Sequence, residues 1–140
     1  VRSQIVIPKH TPITYIEKYD SMSIELMNEY KIPASIILGI SMLESGYGTS
    51  KLSVNKNNYF GVKKGNLYRS YESDSASFKD FCVIISKKKF YVSLKNEKAE
   101  YEIWISKIRS IGYSTSTTWS PKVLYYIKKY KLYEYDQPKI

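Results

Sequence analysis

The sequence predicts a mostly helical single domain, of the mostly α (α+β) class, with one small irregular or β insert. Its 140 residues suffice for one domain with a real core and are too few for two ordinary domains. Apolar residues recur at helical spacing along most of the chain. Between Asn55 and Tyr71 this period disappears, and asparagine, glycine and aromatic residues take over. We assign residues 1–12 to an N-terminal extension and residues 13–140 to the domain.

Helices are expected on both sides of Pro33. The segment "PITYIEKYDSMSIELMNEYKI" has apolar residues at spacings of about 3.6, which predicts one helix with a break near Asp20 and Ser21. The next segment, "IPASIILGISMLES", is apolar on nearly all sides, so we expect it to be the central buried helix. Gly46 and Gly48 follow it directly and are expected to end it.

The remainder of the chain predicts a hairpin and further helices. A short helix in "TSKLSV" is expected, capped by Thr49 or Ser50, and a two-stranded hairpin is expected around residues 64–66. Ser73 is placed to cap "DSASFKDFCVIISKK". The last two predicted helices are "NEKAEYEIWISKIRSI" and "SPKVLYYIKKYKL", the second starting at Pro121.

The positive net charge favours anionic partners but does not distinguish among them. The net charge is +9, from 22 Lys plus Arg and 13 Asp plus Glu. Such a surface favours nucleic acid, anionic lipid or an anionic cell-wall polymer, and it also serves solubility. The lysine pairs and runs look like solvated helix faces and no nucleic-acid motif is present, so nucleic acid is not a predicted partner. No apolar stretch approaches the roughly 18 residues that span a membrane, so we predict no membrane insertion. We also expect a monomer.

Cysteine and histidine usage excludes several kinds of chemistry. The chain has one cysteine, Cys82, and one histidine, His10, which excludes an internal disulfide and a cysteine metal cluster. The apolar surroundings of Cys82 favour a buried, inert thiol. We therefore predict no metal and no cofactor. Any chemistry must rest on carboxylates, tyrosines and amides.

One carboxylate stands in an unusual place. Glu44 lies at the end of the most apolar predicted helix, in "SMLESGYGTS", immediately before a glycine–aromatic–glycine turn. Low-dielectric walls raise the pKa of a carboxyl group, and a carboxylic acid with a raised pKa can protonate a leaving oxygen. The glycines would let a ligand approach the backbone, and Tyr47 offers an aromatic face. From this pattern alone, an exposed helix-end residue remains the alternative.

Several motifs resemble those of glycoside hydrolase family 73 and occur in the same order. They are "PASIILGISMLESGYGTSKLSVNKNNYFGVK", "YRSYESDSASFKDF" and "IGYSTSTTWSPKV", and the resemblance covers about residues 13–132. The family contains endo-β-N-acetylglucosaminidases of bacterial cell walls, among them flagellum-associated hydrolases, autolysins and phage lysins. The resemblance implies a lysozyme-like fold, with a helical lobe, a small β lobe and a substrate groove between them.

The resemblance also implies the site. Glu44 matches the family's general acid, and Tyr113 matches a tyrosine near the cleaved sugar. We predict further sugar contacts from amide and aromatic side chains, namely Tyr47, Asn58, Tyr59, Phe60, Tyr68 and Trp119. For Trp119 both a sugar platform and core packing are open. The implied partner is the peptidoglycan glycan strand, cut at the β-1,4 bond between N-acetylglucosamine and N-acetylmuramic acid. The implied location is the bacterial envelope, periplasmic or extracellular, or a phage particle.

The sequence departs from the family pattern where a second carboxylate is usual. The segment before Tyr68 is shortened to "KGNL" and contains no acid. The nearest acids are Glu72, which we retain as a catalytic candidate, and Asp74, which is more simply a first-turn helix residue. Without a second carboxylate, the acetamido group of the substrate could act as the nucleophile.

Two other readings of the same motifs stay open. A lytic transglycosylase or muramidase would share the fold and the helix-ending Glu-Ser pair, but "NNYFGVK" replaces the transglycosylase motif expected after it. A non-catalytic cell-wall-binding scaffold would keep the fold with a degraded groove, and the shortened β lobe motivates this alternative.

Overall fold

The computed structural model describes residues 10–137 and is mostly helical, as predicted. The predicted extension, residues 1–12, lies almost wholly outside the described residues. Within residues 10–137 the elements are α1 (Pro12–Tyr30), α2 (Ala34–Ser45), α3 (Lys51–Lys56), β1 (Lys63–Lys64), β2 (Leu67–Tyr68), α4 (Asp74–Ser86), α5 (Tyr91–Glu97), α6 (Tyr101–Ser110), α7 (Trp119–Lys129) and a short 3₁₀ helix (Leu132–Asp136). No helix in this part of the chain is long and apolar enough to cross a membrane.

Helix α1 is continuous, so the predicted break near Asp20 and Ser21 is wrong. The Asp20 carboxylate accepts a hydrogen bond from the Ser21 N–H at 2.7 Å, yet the helix runs through both residues. The buried positions Tyr15, Ile16 and Leu26 lie on both sides of this point and pack into the same core. Tertiary packing of the apolar stripe therefore outweighs the local tendency of Asp and Ser to interrupt a helix.

Helix α2 is the central buried helix that the sequence predicts. Ten of its twelve residues are buried, and it packs against α1, α6, α7 and the 3₁₀ helix. At Gly39 an added Cβ would lie 3.0 Å from Cγ1 of Ile127, so glycine permits the close approach of α7. Gly46 adopts φ = 55° at the C-cap, which ends α2 as predicted.

The start of α2 is capped from the far end of the chain. Asp136 accepts hydrogen bonds from the Ser35 backbone N–H at 2.8 Å and from the Ser35 hydroxyl at 2.5 Å. Burial raises the pKa of Asp136, while the bonds from Ser35 act in the opposite direction. This carboxylate supplies the cap that Pro33 cannot provide. The 3₁₀ helix that carries Asp136 was not predicted.

The β insert is a minimal hairpin, which confirms the shortened β lobe. Strands β1 and β2 are antiparallel, with Lys63 opposite Tyr68 and Lys64 opposite Leu67, and all four residues are exposed. Gly65 at the turn has φ = 65°, a conformation that glycine adopts without steric cost. Neither strand contributes a residue to the core formed by residues 10–137, which comes mainly from the helices.

Helices α3 and α4 begin where the sequence predicts, at the N-caps Ser50 and Ser73. Helix α7 starts two residues before Pro121, which occupies the first turn, where its missing N–H costs no helical hydrogen bond. Helix α5 was not predicted, because only Leu94 of its seven residues is buried and the apolar period is too weak to detect.

Cys82 is fully buried in α4, and burial raises its pKa to about 12, which makes it the inert thiol expected.

Candidate active site

The carboxylate of Glu44 lies on the last turn of α2 and is partly buried. Its Oε1 accepts a hydrogen bond of 3.0 Å from the indole N–H of Trp119, at the start of α7. Its Oε2 lies against Gly61, where an added Cβ would come within 2.8 Å. Glycine at residue 61 therefore leaves the space beside Oε2 open.

The surroundings of Glu44 favour its protonated form. Burial raises the pKa of Glu44, and the hydrogen bond from Trp119 opposes that effect by stabilising the carboxylate. The position near the C-terminal end of α2 also disfavours negative charge, because the helix dipole is negative there. An acid held in this way can give up a proton and then be stabilised as an anion, which general acid catalysis requires.

The glycine–tyrosine–glycine turn holds Tyr47 against α7. Gly46, Tyr47 and Gly48 all have positive φ, at 55°, 58° and 76°. The Ser45 hydroxyl donates to the Ser41 carbonyl at 2.6 Å and accepts the Gly48 N–H at 2.9 Å, which stabilises the turn. The Tyr47 hydroxyl donates to that of Tyr126 at 3.1 Å. Burial raises the pKa of Tyr47 to about 12, so this hydroxyl stays protonated.

Asn58 supports the loop from inside and does not face the groove, unlike the sugar contact expected from the sequence. It has no exposed surface. Its amide N–H groups donate to the carbonyls of Val62 and Arg69, both at 2.9 Å, and its oxygen accepts the N–H groups of Phe60 and Val62. All its hydrogen-bonding capacity is used in the turn that presents Gly61 to Glu44.

Phe60 and Tyr59 are also held by packing rather than open to a ligand. Phe60 is 1% exposed and stacks on Phe81 with ring centroids 4.3 Å apart, so the expected sugar contact is not available to its ring. Tyr59 is partly buried, with its ring centroid 5.6 Å from that of Tyr19 and 5.7 Å from that of Phe78. The aromatic residues of "NNYFG" thus join the loop to the helical core.

Tyr113 and Trp119 enclose the carboxylate of Glu44. The Tyr113 hydroxyl donates to the Phe60 carbonyl at 2.6 Å, and the Tyr113 ring lies 5.5 Å from that of Trp119. Burial raises the pKa of Tyr113 well above its ordinary value, and the charges of Glu44 and Tyr71 raise it further. Trp119 is only 3% exposed, so of its two expected roles the structure gives core packing, together with the hydrogen bond to Glu44.

The other candidates lie outside this cluster. Tyr68 is exposed on the hairpin, with the Lys63 ammonium 4.9 Å from its ring centroid. Glu72 is exposed and makes no hydrogen bond to any residue within 10–137. Asp74 lies in the first turn of α4 and accepts a hydrogen bond of 2.8 Å from Tyr19, which is the helix-end role expected for it.

Sequence reasoning missed a polar cluster beside the hairpin. The Asp80 carboxylate accepts a hydrogen bond of 2.8 Å from the Arg69 guanidinium and one of 2.5 Å from the Tyr71 hydroxyl. All three residues occur in "YRSYESDSASFKDF", but their spacing does not indicate that the three side chains meet. Among the described residues, no group of three His, Cys, Asp or Glu side chains is placed to hold a metal ion.

A buried helix that ends in a half-buried glutamate, beside a small hairpin and a glycine turn, defines the lysozyme-like class of domain. Residues 21–132 match the glucosaminidase family, described as mannosyl-glycoprotein endo-beta-N-acetylglucosaminidase. This chain belongs to that family, and its domain is a glycoside hydrolase of the N-acetylglucosaminidase type.

Known relatives agree with this assignment. The exo-glucosaminidase LytG of Bacillus subtilis is 27% identical, and the match covers 80% of this chain and 49% of LytG. The chain thus spans about half the length of this curated relative. The catalytic domain of the autolysin Auto from Listeria monocytogenes superposes with a TM-score of 0.77 at 20% identity, over 94% of this chain and 91% of that domain. The glycoside hydrolase domain of Salmonella typhimurium FlgJ gives 0.69 at 20% identity, over 87% and 89%. At these identities the structures show the shared fold.

Proposed function

We propose that this domain hydrolyses peptidoglycan at the β-1,4 bond between N-acetylglucosamine and N-acetylmuramic acid, with Glu44 as the general acid. The observation that carries the proposal is the half-buried Glu44 carboxylate, hydrogen-bonded to Trp119 on one oxygen and open beside Gly61 on the other. Membership of the glucosaminidase family supports the reaction class, and the LytG and autolysin relatives support the substrate.

The proton for the leaving group comes from Oε2 of Glu44. Because Oε1 already accepts the indole N–H of Trp119, the proton is carried by the other oxygen, which lies on the Gly61 side. A glycosidic oxygen placed in the space that a side chain at residue 61 would fill meets that proton directly. Once the proton has left, the Trp119 N–H stabilises the carboxylate that remains.

The acetamido group of the substrate serves as the nucleophile. Its carbonyl oxygen attacks the anomeric carbon as the glycosidic bond breaks and Glu44 protonates the leaving oxygen, giving a cyclic oxazolinium that water then opens. The Tyr113 hydroxyl donates to Phe60, so its oxygen is free to accept the acetamido N–H and orient the group. The competing route uses Glu72 as the base for water, and the exposure of Glu72 argues against it.

Stereochemistry separates the two routes. NMR of the first reducing ends formed should show the β anomer if the acetamido group attacks. A product formed only as the α anomer would overturn substrate assistance and indicate a base such as Glu72 that activates water.

Mass spectrometry of fragments released from purified cell walls tests the function itself. We expect wild-type protein to release fragments with a reducing N-acetylglucosamine end, and Glu44→Gln to release none. Anhydromuramyl ends would indicate a lytic transglycosylase instead. Binding of both proteins to walls without any release would indicate a scaffold. Fragment length also separates endo cleavage, which we propose, from the stepwise release expected of an exo enzyme.

The proposed location of the domain follows from its proposed substrate. We propose that the domain acts as a monomer in the bacterial envelope, in the periplasm or outside the cell, or as part of a phage particle. The net charge of +9 supports contact with anionic wall polymers.

A further inference from the structure

A cavity lies beside the hairpin, outside the cluster around Glu44. Its volume is about 840 Å³, and its walls come from β2, the segment after it and one face of α4. The residues that line it are Lys64, Leu67, Tyr68, Arg69, Ser70, Tyr71, Ala76, Lys79, Asp80 and Val83. A cavity of this size is large enough for a small ligand or a short peptide.

The charges at this cavity favour an anion. Three cations line it, from Lys64, Arg69 and Lys79, against one carboxylate, Asp80. Asp80 is already neutralised by Arg69 at 2.8 Å and hydrogen-bonded by Tyr71. Neither lysine forms an ion pair with any carboxylate of residues 10–137. The Nε of Arg69 is buried and has no hydrogen-bond partner among those residues, so it is an unused donor.

The apolar part of the lining fits a peptide. Leu67 is 77% exposed and Tyr68 is 44% exposed, although both are large hydrophobic side chains. Ala76 and Val83 add aliphatic surface from α4. Cations combined with exposed aliphatic and aromatic surface suit a chain that alternates small apolar side chains with carboxylates.

The cavity adjoins the catalytic residues through the backbone. The Arg69 N–H donates to the Val62 carbonyl at 2.9 Å, and the neighbouring Gly61 lies against Glu44. A substrate bound at Glu44 therefore has this cavity as its neighbour.

We propose that this cavity binds the stem peptide of peptidoglycan, through carboxylates held by the ammonium groups of Lys64 and Lys79 and by the Nε–H of Arg69, all unpaired within residues 10–137. The proposal rests on the proposed function. In glycan that keeps its peptides, the peptide is attached to the lactyl group of N-acetylmuramic acid, next to the bond that is cut. This subsite thus recognises the sugar that carries the peptide.

The test compares cell-wall glycan that keeps its peptides with the same glycan stripped of peptides by an amidase. The variant is the double substitution Lys64→Gln with Lys79→Gln, which removes two charges from exposed side chains. We expect the ratio of kcat/KM for intact strands to kcat/KM for stripped strands to fall about threefold to tenfold, as for the loss of two surface ion pairs. The matched control, Lys87→Gln with Lys89→Gln, removes the same charge away from the cavity and should leave the ratio at its wild-type value.

The outcomes separate this proposal from the proposed function. An unchanged ratio in the cavity variant, or an equal fall in the control variant, overturns the peptide subsite. Cleavage of stripped glycan by the wild-type protein would still support the proposed hydrolase function. A fall that disappears when anionic wall polymers are removed from the intact strands would assign the cavity to phosphate instead. If wild type cuts neither substrate, the proposed function fails. Pelleting of Glu44→Gln protein with intact and stripped walls then tests the subsite by binding, and equal binding overturns it.

Discussion

The indole N–H of Trp119 donates a hydrogen bond of 3.0 Å to Oε1 of Glu44, across a separation of 75 residues. This bond joins the end of the central helix to the start of α7. It fixes which carboxylate oxygen faces the open space beside Gly61. It also acts on the acidity of Glu44 in the direction opposite to burial. The orientation and the acidity of the proposed general acid thus depend on one tryptophan.

Replacing Trp119 by phenylalanine should impair catalysis and shift its pH dependence. Trp119→Phe keeps an aromatic ring but removes the N–H that lowers the pKa of Glu44, so that pKa should rise further. We expect kcat/KM to fall about tenfold and the alkaline limb of its pH profile to move to higher pH, because that limb reports loss of the acid's proton. The matched control is Trp104→Phe, a buried tryptophan in α6. An alkaline limb that stays in place would contradict the role assigned to Trp119.

Glu44→Gln should lose activity, and it should gain stability relative to wild type at pH values above the folded-state pKa of Glu44. General acids contribute about 10²–10⁴-fold, and we expect a loss in that range. The pKa of Glu44 is raised in the folded protein, so the folded state binds its proton more tightly than the unfolded state. The stability from this group is therefore complete below the unfolded pKa and is lost as pH rises through the folded pKa.

Thermal unfolding of wild type and Glu44→Gln, measured over a range of pH, tests the direction of this pH dependence. Tm of Glu44→Gln should rise relative to that of wild type as pH increases through the raised pKa of Glu44, because wild type then carries an unfavourable buried charge. The difference should disappear at low pH, where the wild-type group is neutral. A Tm difference that does not change with pH would contradict the burial of an unfavourable charge.

Gly61→Ala should disable the site by displacing the Glu44 carboxylate. The added Cβ would lie 2.8 Å from Oε2, and residue 61 also has φ = 68°. We expect activity to fall about 10²-fold from misplacement of the acid, and stability to fall about 1–2 kcal/mol from backbone strain. The control Gly65→Ala has φ = 65° and nothing within 4 Å, so it carries the strain without the clash. Cell-wall assays of both variants measure the effect of the clash on activity, and urea denaturation measures the effect of backbone strain on stability. An equal loss of activity in both variants would contradict the clash.

Asn58→Ala should act on stability, since the Asn58 amide is fully used inside the loop. Removing it takes the side-chain partner from the Phe60 N–H, the Val62 N–H and the Arg69 carbonyl, which are buried or partly buried. We expect the free energy of unfolding to fall by about 2–4 kcal/mol, measured by urea denaturation. The exposed Asn96→Ala in α5 should change it by less than about 0.5 kcal/mol. Unchanged stability with a raised KM would instead restore the sugar contact that the sequence suggested.

Local sequence patterns determined much of the fold. Apolar period and capping residues located α2, α3 and α4, and Gly46 ended the central helix where it was expected. The turn residues around Gly65 located the hairpin. These features depend on residues within a few positions of each other, which a sequence displays directly. The order of motifs likewise indicated the family and placed Glu44 at the end of the buried helix.

Tertiary structure alone decided which side chains support the site and which remain free to bind. The sequence could not show that Asn58 and Phe60 point inward, or that Trp119 hydrogen-bonds Glu44. It also could not show that Asp80 binds Arg69 and Tyr71 at the wall of the cavity beside the hairpin. An amide or an aromatic ring suits a sugar and a core equally well. The choice depends on contacts between residues that lie tens of positions apart and meet only once the chain has folded.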